Sequence, residues 1–136
     1  MKYFILSLVV LVLLSFTIKT SQQDNTLDES IERGRNIYND FCITCHLSNG
    51  EGVKGVYPPL ANSDYLKNIK ASIKAVKFGI SGELIVNGKK YNGTMTPLGL
   101  DDDEIADVIN YINNSWGNKN DTLVTKAMVF SVKNNP

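Results

Sequence analysis

The sequence predicts a small all-α domain, three to five helices wrapped round one covalently bound prosthetic group, with a minor hairpin. Three observations carry that prediction. Apolar residues recur at helical spacing in separate stretches, and only one short segment reads as paired strands. Both cysteines and the only histidine fall within five consecutive positions, Cys42 to His46. The 136 residues are too few for more than one ordinary domain, and a core this small is marginal unless something large and apolar helps to fill it.

The stretch Phe41-Cys42-Ile43-Thr44-Cys45-His46 reads as a c-type haem attachment site. One helical turn separates the two thiols, so both can reach the vinyl groups of one haem and form thioethers. His46 then falls beneath the iron and can supply the proximal imidazole. Three other uses of the pair are weaker. A thioredoxin-like redox motif wants a preceding strand in a βαβ setting, and neither is visible. Structural zinc needs four ligands, and no second Cys or His cluster exists. A Cys42–Cys45 disulfide in an exported chain is the remaining alternative. Haem is preferred to all three.

The N-terminus bears on the compartment. Met1-Lys2 is a short basic lead, and Tyr3 to Ile18 is almost wholly apolar before Lys19 closes it. As helix those residues would extend roughly 24 Å, short of a bilayer core of about 30 Å. Residues 1–20 therefore read as a signal peptide cut near Thr17 to Ser21, or as a single-helix N-terminal anchor that tethers the protein through residues 3–18. Either way the folded part leaves the cytoplasm, and the expected location is periplasmic or otherwise extracytoplasmic. The formal net charge of zero gives no argument for a nucleic-acid partner or an acidic substrate.

After a polar linker, Thr26 with Glu29 makes a capping box that opens a helix from Leu27 to Asn39 or into the haem motif. Gly34 inside that helix costs about 1 kcal/mol against alanine, which points to close packing. Gly50-Glu51-Gly52-Val53-Lys54-Gly55 matches a dinucleotide fingerprint by letter, but it follows a haem motif and runs into Tyr57-Pro58-Pro59. A fingerprint would follow a strand and open a helix, so this is a tight glycine loop beside the haem. Asn62 or Ser63 can cap a helix running to Phe78, with Leu66, Ile69, Ile73 and Val76 as its apolar stripe. Lys67, Lys70, Lys74 and Lys77 lie one residue on, either as a solvated face or as a docking patch for an acidic redox partner.

Gly79 to Gly82 stops that helix, and Leu84–Val86, Asn87-Gly88 and Lys89–Tyr91 read as a hairpin with a type I′ turn. A loop from Asn92 to Pro97 follows. Asp101 caps the last main helix with Glu104 at its third position. The acidic run 101–104 complements the helix dipole and is not read as a metal cluster. Ile105, Val108, Ile109 and Ile112 form the buried face, and Trp116-Gly117 ends the helix. The domain thus spans 26–118, and residues 119–136 form a C-terminal tail with a short helical pattern through Val129 and Val132. Low-spin haem iron takes a sixth ligand, for which Met95, Met128 or no residue remain.

At these residues the chain resembles class I cytochrome c domains, over about Ile31 to Trp116. Beyond Cys42-Ile43-Thr44-Cys45-His46, Gly34 and Tyr38 look like the positions where the family's first helix crosses its last, with Val108 and Tyr111 opposite. Pro58-Pro59-Leu60 matches the family's Pro-x-Leu, which implies that the Pro58 carbonyl holds the imidazole and Leu60 covers a haem edge. Met95-Thr96-Pro97 is similar to the family's methionine loop, which implies His46 and Met95 as axial ligands. The span from Gly82 to Gly117 especially resembles cytochrome domains accompanying bacterial respiratory oxidases and reductases.

The resemblance implies a small cytochrome c fold holding one covalent haem c and its iron. The expected function is an exported, monomeric carrier of single electrons between respiratory redox proteins, and not an enzyme. The alternatives are a haem subunit fixed in a larger oxidase or reductase complex, and a gas-binding or peroxidase-like haem protein if Met95 is labile. Family members that dock through a lysine ring are strongly basic. Without Lys2 and Lys19 this chain keeps 12 basic against 14 acidic residues, so broad positive charge does not select its partner.

Overall fold

Residues 26–134 are described by the computed structural model; the apolar stretch 3–18 and its two readings lie outside them. Five α-helices and one two-stranded ribbon follow in chain order: α1 (Leu27–Phe41), α2 (Ile43–His46), α3 (Ile69–Phe78), β1 (Ile80–Val86), β2 (Lys89–Met95), α4 (Asp102–Ile112) and α5 (Lys126–Ser131). A 3-10 turn over Asp64–Lys67 precedes α3. Among the described residues no helix is long and apolar enough to cross a membrane.

The helix starts follow from local side-chain chemistry. Thr26 and Glu29 form the expected capping box at α1, as Asp101 and Glu104 do at α4, and Thr125 accepts from the Met128 amide to open α5. The acidic run at α4 caps the helix through Asp101 and lies in its first turn, and Asp102 and Asp103 there pair with Lys77 and Lys126.

Helices α1 and α4 cross at Gly34. A Cβ there would lie 2.0 Å from the Asp107 carbonyl oxygen and 2.8 Å from the Tyr111 Cβ, so only glycine lets the two backbones approach this closely. Beside the crossing, Tyr38, Tyr111 and Trp116 pack edge to face or tilted, with ring centroids 4.8 to 5.5 Å apart. Val108, Ile105, Ile109 and Ile112 complete the core with Ile73 and Leu66.

Three boundaries differ from the sequence reading. The helix expected from Asn62 or Ser63 to Phe78 is two elements, because Asn68 accepts from the Ala71 amide and caps α3 itself. The hairpin is longer than Leu84–Tyr91. Its turn keeps Asn87 and Gly88 at positive φ, and its strands pair from Val86 opposite Lys89 as far as Ile80 opposite Met95. Met95 thus ends a strand and does not sit in a free loop. Helix α4 stops at Ile112, and residues 113–117 make turns with Trp116 and Gly117 at positive φ. The C-terminal tail buries Val124, Val129 and Val132 against the rest of the protein.

Candidate haem-binding site

The site begins with the helical turn that carries the motif. The amides of Cys45 and His46 both donate to the Cys42 carbonyl, closing one turn over Cys42-Ile43-Thr44-Cys45-His46, so the two sulfurs and the imidazole are presented from a single turn. Leu47 follows at φ 63° and reverses the chain. The Tyr38 hydroxyl donates to the Leu47 carbonyl at 2.6 Å, tying the end of the motif to the α1–α4 crossing.

The loop that follows places the next residue of interest. Gly50 accepts from the Leu60 and Ala61 amides at 2.7 and 2.8 Å, and the Gly52 amide donates to the His46 carbonyl at 3.0 Å. Gly52 has φ 62°, and a Cβ there would come within 2.4 Å of the Tyr57 carbonyl oxygen and 2.7 Å of that of Pro58. The loop therefore folds tightly enough to aim the Pro58 carbonyl at the imidazole: His46 Nδ1 lies 3.0 Å from it. A carbonyl only accepts, so Nδ1 carries the proton and Nε2 keeps a free lone pair. Burial lowers the His46 pKa, the Pro58 hydrogen bond partly opposing it, and the neutral ring is the form that binds a metal. Burial likewise pushes the Cys42 thiol up to about 12.

Cys42, Cys45, His46, Pro58, Leu60 and Met95, all six residues singled out in the sequence, line one cavity. Met128, the other methionine considered as a ligand, is not among its walls. Ile109 and Ile112 of α4 close one side, and the β1–β2 ribbon another. The cavity offers about 240 Å³, many times the roughly 10–15 Å³ that one water needs. Among the described residues no Asp, Glu, Lys or Arg lines it.

The donor chemistry fits a haem. Two thiols and an imidazole come from one turn, a thioether from a separate strand, and the walls are almost wholly apolar. Phe41, Val56 and Tyr57 line the cavity and stay 46%, 52% and 38% exposed, so its mouth opens on an apolar rim.

Asn118 was not marked in the sequence. Its Nδ2 donates to the Leu60 carbonyl at 2.8 Å and to that of Ile112 at 3.0 Å, while its Oδ1 accepts from the Ser63 amide at 3.3 Å. It fastens the Pro58–Leu60 loop to the end of α4. Only its place after Trp116-Gly117 could have drawn notice to it. Of the lysine stripe, Lys77 is committed: it pairs with Asp102 at 2.8 Å and donates to the Val129 carbonyl at 3.0 Å.

Comparison with known proteins gives a consistent picture. The model of the family described as Cytochrome c matches residues 31–116. Cytochrome c-552 of Thermus thermophilus is 39% identical over 84 residues, covering 56% of this chain and 63% of that protein. The cytochrome c subunit of the quinone-type alcohol dehydrogenase of Gluconacetobacter polyoxogenes is 31% identical over 105 residues, 74% of this chain and 22% of that one. A cbb3-type cytochrome c oxidase subunit, FixP of Bradyrhizobium diazoefficiens, is 31% identical over 91 residues, 62% of this chain and 30% of that subunit. The chain thus matches less than two thirds of the length of each of these relatives.

Proposed function

The chain belongs to the cytochrome c family, its haem is covalent haem c with iron, and from that premise we propose that it is an exported carrier of single electrons between respiratory redox proteins. In this reading Cys42 and Cys45 hold the haem by thioethers, and His46 and Met95 are the axial ligands. Pro58 fixes the plane and tautomer of the imidazole, and Leu60 covers an edge. One observation supports it above all others: the thiols, the imidazole and the thioether line a single uncharged cavity, with the imidazole already held as the Nδ1-protonated tautomer.

When bound, the haem iron supplies a one-electron ferric–ferrous couple, and thioether ligation raises its potential relative to a second imidazole. What the chain supplies is a fixed ligand field. His46 on a helical turn and Met95 at a strand end would hold the iron from fixed positions, so little would have to move when its charge changes. Among the described residues the cavity walls offer no carboxylate or second histidine to act as a base on a bound molecule. Phe41, Val56 and Tyr57 at the mouth suit close approach of a partner with an apolar patch over its own cofactor. The apolar segment 3–18 sends the domain out of the cytoplasm and either leaves with a signal peptide or stays as a tether.

A second reading, a haem subunit fixed in a larger complex, is favoured by relatives that are themselves dehydrogenase and oxidase subunits. Purification in mild detergent separates the two: stable co-purification with a membrane oxidase or dehydrogenase supports the subunit, and recovery of the haem protein alone supports the carrier.

The ferric optical spectrum of the purified protein beside a Met95→Ala variant tests the ligation. A weak far-red thioether-to-iron band in the parent, lost in the variant, is the expected result. A high-spin parent without the band would remove Met95 from the iron and favour a ligand-binding haem protein instead.

A further inference from the structure

The inner face of the β1–β2 ribbon lines the cavity with Ile80, Leu84, Val86, Tyr91 and Met95. Cross-strand partners share a face, so the pairs run Ile80 with Met95, Gly82 with Gly93, and Leu84 with Tyr91. Two apolar pairs are therefore separated by a pair with no side chains at all, one register step from Met95.

Strand-interior glycine is unfavourable, because it orders a floppy backbone and packs nothing. Gly82 has a conformational reason, its φ of 93°. Gly93 has none. Its backbone lies outside the left-handed region, and a Cβ built there would meet only the Val56 carbonyl oxygen, at an ordinary 3.8 Å. Protein packing tolerates a side chain at Gly93, yet the residue faces the cavity. Gly34 and Gly52 differ, since protein atoms block a Cβ at each. Bare backbone in a strand without such a block marks close approach of something other than the chain.

We propose that Gly93, with Gly82 opposite, is the clearance that lets the ribbon close flat against the haem and so positions Met95 at the iron. The proposal rests on the His46/Met95 reading above. Through the ladder, a side chain at Gly93 lifts the end of β2, and Met95 sits two residues further on. Gly93 is thus a positioning residue acting through Met95.

Gly93→Ala and Gly93→Val in the holoprotein test this, beside Asn92→Val on the opposite face, where Asn92 pairs with Glu83. With the parent band present, the expected result is a graded loss: weakened by alanine, abolished by valine, retained in Asn92→Val. Affinity of the ferric iron for added imidazole should rise about tenfold or more in Gly93→Val, the scale on which overpacking by a few methyl groups shifts an equilibrium. Valine favours strands, so a purely structural glycine predicts an unchanged band and an equal or higher melting temperature. That result would overturn the proposal.

A direct contact measurement stands apart from the Met95 ligation. In the diamagnetic ferrous protein, or its carbonyl form, nuclear Overhauser effects are expected between the Gly93 Hα protons and haem ring protons. Their absence, with effects from Leu84 or Tyr91 present, refutes the clearance. If the contacts are seen but the parent lacks the far-red band, the ligation reading fails while the clearance against the haem survives, and its link to Met95 is overturned.

Discussion

Helix α4 is buried on two sides that are built from opposite materials. Toward the cavity it presents Ile109 and Ile112, and among the described residues no Asp, Glu, Lys or Arg lines that space. Toward α1 and the tail it presents Asp107 and Asn110. Asp107 accepts from Arg33 Nε at 2.6 Å, Arg33 Nη2 at 2.9 Å and Ser30 Oγ at 2.6 Å. Asn110 donates to Ser30 Oγ and the Val124 carbonyl and accepts from the Val124 amide, all within 2.9 Å. The charged hydrogen bonds that Arg33 donates to Asp107 hold its pKa above the usual value. The difference is one of task. On the polar side each directional bond specifies one arrangement of α1, α4 and tail. On the apolar side, side chains that make no directional bonds leave a low-dielectric space for an apolar cofactor.

The crossing at Gly34 is where both sides depend on one contact, so breaking it should have the largest effect. Gly34→Ala puts a methyl 2.0 Å from the Asp107 carbonyl oxygen, and backbone cannot yield there as a flexible side chain could. A loss of about 3 kcal/mol or more is expected, read as a lower guanidinium midpoint of the holoprotein. Separation of the helices should also strain the cavity, so the far-red band weakens together with stability.

Asn110→Leu should divide the two sides. It keeps the branched shape but leaves the buried Val124 amide and carbonyl without their partner, while Ser30 Oγ keeps its bond to Asp107. The expected cost is about 3 kcal/mol, since each orphaned buried group costs about 1–3 kcal/mol. The optical spectrum of the folded protein should remain that of the parent. A spectral change as large as that of Met95→Ala would mean that the polar side also sets the ligand field, and the division of labour drawn here would be wrong.

What could be read from the sequence follows the same line. Local chemistry was legible: the capping boxes at Thr26 and Asp101, the Asn87-Gly88 turn, the tight loop of Gly50 to Gly55, the packing role of Gly34. The six residues around the cavity could be singled out because the motif and its resemblance name residue types at fixed spacing. The polar side was not legible, since its bonds between α1 and α4 join residues 74 to 80 positions apart, those to Val124 span 14, and no local pattern distinguishes Asp107 or Asn110 from solvated helix residues. The ribbon was underestimated because Gly82 and Gly93 depress strand character in the register where they face the cavity. Asn68 was passed over because Leu66, Ile69 and Ile73 carry the apolar period straight through it, while its side chain caps the helix that starts one residue later.

The lysine stripe gives the smallest effect and sharpens the comparison at the molecule's edge. Lys77 stands where α3, the start of α4 and α5 meet, its side chain 20% exposed like that of Asp102. Lys67 and Lys70 on the same stripe are exposed. Lys77→Gln should therefore lower stability by about 1 kcal/mol, the upper range of a partly screened pair with one added carbonyl acceptor. Lys67→Gln and Lys70→Gln should each change it by less than about 0.5 kcal/mol. Electron-transfer rates with an acidic redox protein should respond the other way, with Lys67 and Lys70 lowering the association rate more than Lys77, and more so at low salt. Lys77 is set apart from Lys67 and Lys70 on one periodic run of lysines because its side chain finds Asp102 and the Val129 carbonyl.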